Sequence, residues 1–180
     1  MWFEEKPFYE ELLDGIIWRA YKNPWTDPYP LTATKLYRFY PVAEAMASLS
    51  RDPGTKVGCL IFGKGYEIRA QGWNGAPRGC AADTDERYAD RTEKLWWASH
   101  AEGNAIANAA RTGTPIEGCA MLVTHYPCMT CAKTIVQAGI KQVVCPEPSG
   151  EFAERWAEDI KRSQALFYEC GVHLTTFERE

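Results

Sequence analysis

Two short segments constrain this chain more than anything else in it: His100-Ala101-Glu102 and Pro127-Cys128-Met129-Thr130-Cys131. Zinc takes Cys sulfur, His nitrogen or carboxylate oxygen in a tetrahedron, and a catalytic site takes three ligands from the protein and keeps one position open. Cys128 and Cys131 stand three apart at an expected helix start, so their sulfurs can converge on one ion. A helix N-terminus also favours thiolate over thiol. His100 supplies the third ligand from the start of another helix. No second Cys or His lies near it to close the shell, which suits catalysis better than a structural role. Glu102 is close enough to face the open position without binding the metal, where a carboxylate can carry a proton. Each half alone is ambiguous. A C-x-x-C pair also serves in redox chemistry or as half of a structural zinc site, and H-x-E arises by chance. Their joint occurrence, in this order and each at a helix start, points to a catalytic centre. Buried apolar thiol is the default for Cys59, Cys80, Cys119, Cys145 and Cys170. His125 and His173 are read as non-ligands, His125 lying beside the pocket.

The rest of the pattern says what fold must bring the two segments together. The spacing predicts a helix over 35–49 with a start or kink at Pro41, and strands over 57–62 and 66–72 joined by Gly63-Lys64-Gly65. A polar excursion follows over 80–97. Ser99 is the expected N-cap of a helix to Arg111, with Gly113 near its end. Then come a strand over 120–124, a helix from Pro127 or Cys128 to before Gly139, a strand over 140–145, a helix over 152–169 and a strand over 172–177. Helices alternating with strands imply α/β architecture: three α-β-α layers around a mixed five-stranded sheet. Residues 1–34 read as a helical extension, with apolar positions at helical spacing between Phe8 and Tyr21 and then prolines at 24, 28 and 30. Residues 35–180 read as one zinc-binding domain.

Composition narrows the partners. A net charge of −4 and a pI near 5.5 argue against polymeric nucleic acid, which calls for a basic face. They leave room for a small anionic substrate held by a local cation cluster. No apolar run approaches the roughly 20 residues that cross a bilayer. Glu4 and Glu5 stand where a signal peptide would be basic. With a C-x-x-C pair among an odd number of cysteines, the expectation is a cytoplasmic protein without a disulfide framework.

At this point the chain resembles the deoxycytidylate (dCMP) deaminases of the cytidine deaminase superfamily, over about residues 36–177. The H-x-E and P-C-x-x-C segments mark the superfamily. Ser50-Arg51-Asp52-Pro53, Gly72-Trp73-Asn74-Gly75-Ala76-Pro77-Arg78-Gly79 (Trp73 standing for the usual Tyr) and Asn104 within His100-Ala101-Glu102-Gly103-Asn104-Ala105-Ile106 resemble the dCMP branch more narrowly. The resemblance implies hydrolysis of dCMP to dUMP and ammonia: attack at C4 of the cytosine ring, with Glu102 protonating N3 and then the departing amino group. The alternatives are a modified cytosine nucleotide, a nucleoside or another amino-heterocycle as substrate, or an inactive zinc-binding module.

The resemblance also implies further roles. Asn74 would contact the sugar, although Asn-Gly is equally a turn signal. Backbone groups of Ala101 and Thr124, with Tyr126 beside the base, would form the floor and wall of the base pocket. Arg51 and Lys56 would reach the 5′-phosphate, with Arg78 a further candidate. Gly75 and Arg78 lie where relatives bind regulatory dCTP (activator) and dTTP (inhibitor) with Mg2+. A homo-oligomer, hexameric in relatives, is implied as well.

Overall fold

The computed structural model describes residues 31–81 and 84–178; the helix expected between Phe8 and Tyr21 and the connector after it lie outside them. In chain order the elements are α1 (Ala33–Tyr37), α2 (Tyr40–Ser48), β1 (Gly58–Phe62), β2 (Ile68–Trp73), α3 (Asp85–Ala89), α4 (Arg91–Trp97) and α5 (Ala101–Thr112). There follow β3 (Ala120–Val123), α6 (Met129–Gln137), β4 (Gln142–Pro146), α7 (Gly150–Arg155), α8 (Ala157–Glu169) and β5 (His173–Phe177). The strands form one sheet in the order β2-β1-β3-β4-β5. β1 is antiparallel to both β2 and β3, and β3, β4 and β5 run parallel, so the sheet is mixed.

β1, β3 and β4 are buried along their whole length. Alternate side chains go to opposite faces of a strand, so each strand feeds two cores. On one face Cys59, Ile61, Met121, Val123, Val143 and Cys145 pack against α5, α6 and α8. On the other, Leu60, Phe62, Ala120, Leu122 and Val144 pack with Leu36 of α1 and Ala43 of α2. Leu31 is only 3% exposed and joins this second core, and its carbonyl accepts from Gln142 Nε2. The packed region thus reaches back to Leu31, ahead of the expected start at 35.

Two glycines set the helix-to-sheet distance. A Cβ at Gly72 would run into the backbone of Ala101 and Ala105, and one at Gly58 into Ala43 and Ala47. Ala101, Ala105 and Ala109 recur every four residues on the buried side of α5. With Gly72 opposite, α5 lies close on β2 and fixes the height of its N-terminal residues above the sheet. The polar side of α5 serves the edge strand. Asn104 and Asn108, one turn apart, donate to the carbonyls of Trp73 and Gln71 at 2.8 Å each.

Several boundaries differ from the sequence expectation. The helix over 35–49 is two helices, and Pro41 sits in the first turn of the second, where its missing N–H is not needed. The Gly63–Gly65 turn runs on to Glu67, with Tyr66 at φ 65°, so β2 begins at Ile68. The helix over 152–169 breaks at Trp156, which leaves helical geometry at φ −110° and ψ 16°. The polar stretch over 80–97 contains two short helices; Asp90 caps the second by accepting from Thr92 and Glu93 backbone N–H.

Candidate active site

α5 starts one residue later than its expected Ser99 cap. Ser99 and Gly75 exchange both backbone hydrogen bonds, at 2.8 and 3.1 Å, which holds Ser99 extended. His100 becomes the N-cap, at φ −79° and ψ 155°, and its side chain makes no capping bond. The imidazole is therefore directed elsewhere. On α6 the N-cap is Cys128, again without a side-chain cap, and Cys131 lies in the first turn. His100 Nδ1 stands 3.4 Å from Cys128 Sγ and 3.3 Å from Cys131 Sγ.

The loop that carries Cys128 is pinned on both sides. Thr124 Oγ1 accepts from Gly58 N at 3.0 Å, and Thr124 N donates to Gly58 O, which ties the end of β3 to the start of β1. Asp159 of α8 accepts from Met129 N at 2.7 Å, between the two cysteines. That carboxylate satisfies one of the orphan N–H groups at the start of α6.

The charge pattern is that of donors closing on a cation. A hydrogen bond from the Cys131 thiol, then His100, hold Cys128 down to about 4. Cys131 is pushed up, first by that same hydrogen bond and then by burial. His100 is raised to about 8, chiefly by its hydrogen bond with Cys128. Glu102 is 4% exposed, and burial is the main cause of its raised pKa. His100, Cys128 and Cys131 are the one convergent group of three or more metal-donating residues among the described residues. Tetrahedral zinc with Zn–S of about 2.3 Å and Zn–N of about 2.0 Å separates its N and S ligands by about 3.5 Å, so the observed distances fit. Two sulfurs and a nitrogen suit zinc and not magnesium or calcium.

His100, Cys128, Glu102, Ala101, Tyr126 and Asn74 line one cavity of about 400 Å³. Cys131 is buried behind its floor. Thr124 is buried too; its hydroxyl serves the β1–β3 junction, and its carbonyl lies 3.0 Å from His125 Nδ1. Asn74 lines the cavity and also braces the loop beside it. Its Oδ1 accepts from Val57 N at 2.8 Å, and its Nδ2 donates to Thr55 O at 2.8 Å and Asp52 Oδ2 at 3.3 Å. Both donors are thus engaged in holding the 52–57 loop.

The residues expected at the phosphate lie outside the lining of this cavity. Arg51 does not line the cavity; it pairs with Asp85 at 3.0 Å, both side chains being largely exposed. Lys56 is exposed and also outside the lining. Arg78 donates to Asn108 Oδ1 on the outer side of α5, and Gly75 is held in its bridge to Ser99. The cavity wall comes instead from residues the sequence reading passed over. From α4 and the residue after it come Arg91, Lys94, Leu95 and Ala98, and from α7, α8 and the break between them come Phe152, Arg155, Trp156 and Asp159. The available signals were the Asp90-Arg91-Thr92-Glu93 capping pattern and the i, i+3, i+4, i+7 spacing of the first group.

Known proteins are similar to this chain in sequence and fold. Residues 33–147 match the family described as the cytidine and deoxycytidylate deaminase zinc-binding region. A deaminase encoded in the luxG 3′ region of Aliivibrio fischeri, itself uncharacterized, is 45% identical over 140 residues, spanning 77% of this chain and 90% of that protein. Human deoxycytidylate deaminase is 41% identical over 145 residues, 77% of each chain. The dCMP deaminase of the cyanophage S-TIM5, solved in complex with dCMP and dUMP, superposes with a TM-score of 0.64 at 27% identity, covering 82% of this chain and 99% of that one. With the His-Cys-Cys trio, the buried glutamate and the five-stranded sheet in place, the chain belongs to the cytidine and deoxycytidylate deaminase family.

Proposed function

We propose that this protein hydrolyses dCMP to dUMP and ammonia. The observation that carries the reading is the buried Glu102 beside His100, Cys128 and Cys131, all serving one cavity large enough for a nucleotide. The human relative named for this activity and the cyanophage enzyme bound to dCMP and dUMP support the choice of base and sugar.

His100, Cys128 and Cys131 would hold zinc, which when bound supplies Lewis acidity that brings a water's pKa towards neutrality. Glu102 does the proton work. Burial disfavours its charged form, so the carboxyl readily keeps a proton taken from the attacking water. It delivers that proton to N3 of the base, then takes the remaining proton from the new C4–OH and passes it to the amino nitrogen. The C4–O bond forms, the C4–N bond breaks, and ammonia leaves with the proton count balanced. Asn74, Asp52 and Val57 keep the facing wall fixed, and Tyr126 and Ala101 bound the space for the ring.

The test is ammonia release by zinc-loaded protein offered dCMP, CMP, deoxycytidine, dCTP and 5-substituted dCMP. The reading predicts turnover of dCMP well above the rest. Silence on every cytosine substrate with zinc bound would overturn it.

The remaining expectations follow the resemblance alone. The enzyme is read as a cytoplasmic homo-oligomer, hexameric as in relatives, formed by one deaminase domain over 35–180 that follows a 1–34 extension. Activation by dCTP and inhibition by dTTP with Mg2+ at the Gly75–Arg78 loop is the regulatory reading. No group of three metal-donating side chains gathers at that loop among the described residues, so magnesium would depend on the nucleotide's phosphates. Sedimentation at several concentrations, and dCMP titrations with and without each triphosphate, test these points.

A further inference from the structure

The cavity has a gradient from floor to mouth. Glu102 and Tyr126 are buried, while Arg91 is exposed and the Arg155 side chain is 58% exposed. A cytosine ring with C4 at the floor must send its 5′-phosphate towards that mouth. The charges there are unevenly matched. Lys94 is taken by Asp52, with Nζ at 3.0 Å from the carboxylate. Asp159 spends its carboxylate on Met129 N–H. Arg155 has only Glu151, at 3.8 Å between two well-exposed side chains, a geometry worth little in water. Arg91 has no ion-pair partner among the described residues, its neighbour Asp90 being used as the α4 cap.

We infer that Arg91 of α4 and Arg155 of α7 form the phosphate subsite of this cavity, and that they make the enzyme select nucleoside monophosphates over nucleosides. The inference rests on the dCMP reading for the base but not for the phosphate. Two guanidiniums on separate helices can each present paired N–H donors to a phosphate carrying nearly two charges, which Lys56 and Arg51 cannot do from outside the cavity. Lys94 remains a positioning residue. Its bond to the buried Asp52 sets α4, and so Arg91, against the wall formed by the 52–57 loop.

The experiment compares wild type, R91Q, R155Q, the double variant and R51Q, all zinc-loaded and at one ionic strength. The readout is the ratio of kcat/KM for dCMP to that for deoxycytidine. Loss of charge-assisted bonds lowers the ratio about tenfold or more in R91Q and further in the double variant, mainly through KM for dCMP. R51Q stays within about twofold of wild type, because Arg51 is outside the cavity. A double variant whose ratio stays within about twofold of wild type overturns the subsite. Calorimetry with dUMP and deoxyuridine reads the same preference without turnover. If wild type prefers dUMP and the double variant does not, the subsite stands even should dCMP prove not to be the substrate. Equal affinity of wild type for dUMP and deoxyuridine overturns it, whichever base is deaminated.

Discussion

Asp52 is the residue whose removal should cost this fold most for its size. Its side chain is 4% exposed and accepts from four donor groups: Gly54 N at 2.8 Å, Thr55 N at 3.2 Å, Asn74 Nδ2 at 3.3 Å, and Lys94 Nζ at 3.0 Å from each carboxylate oxygen. Asp52→Ala strands a Lys94 that is 18% exposed and leaves backbone and amide donors without their acceptor. Breaking a buried pair from one side costs about 3–5 kcal/mol. Lys94 borders the cavity and can turn its ammonium towards water, so the lower part of that range, about 3 kcal/mol, is the better figure. For a domain of this length that is a fall in Tm of about 6–12 °C. Asp52→Asn keeps an acceptor for the two backbone N–H groups and should lose about half as much. Calorimetry or a urea melt at one protein concentration with zinc bound gives the numbers, and the double variant D52N/K94M gives the coupling, expected at about 1 kcal/mol or more. An Asp52→Ala protein melting within about 2 °C of wild type would refute the argument that this carboxylate organises the wall.

Other expectations follow from the same geometry. Glu102→Gln should lower kcat by about 10²–10⁴, towards the larger figure because Asp52 and Asp159 are already committed to other bonds; metal analysis should still find zinc, and near-normal turnover would remove Glu102 from the mechanism. In the metal-free protein His100 is raised to about 8, mainly by its bond with Cys128, and Cys131 is held as a thiol, so zinc displaces two protons below pH 8 and one above it. Zinc affinity should therefore climb by about two decades per pH unit from pH 6 to 8 and about one beyond, read by chelator competition; an affinity flat in pH would contradict this charge state. Gly72→Ala pushes a methyl into the backbone of α5 and should destabilise by about 1–3 kcal/mol, with a fall in kcat as His100 and Glu102 shift together; an unchanged melting curve would show that α5 does not rest on β2 as described.

What could be read from the chain divides along a physical line. The zinc ligands were legible because their chemistry is local: His100 and Cys128 each open a helix, and Cys131 follows within one turn. The central strands were legible because burial on both faces makes Gly58–Phe62 and Ala120–Val123 continuous apolar runs. α4 was not, since it turns Arg91, Lys94 and Leu95 towards a cavity that opens to water, and a helix facing water carries no apolar stripe. The same reason hid Arg91 and Arg155 among ordinary surface charges and left the phosphate expectation on Arg51 and Lys56. Those two adjoin the Asp52 loop in sequence, but Arg51 turns outward to Asp85 while Asp52 turns inward to Lys94. Adjacent side chains in an extended loop diverge, so nearness in sequence to a pocket residue says little about which charge enters the pocket. The pair that builds the wall, Asp52 and Lys94, is separated by 42 positions. No periodicity spans that gap, and only the folded sheet brings the two together.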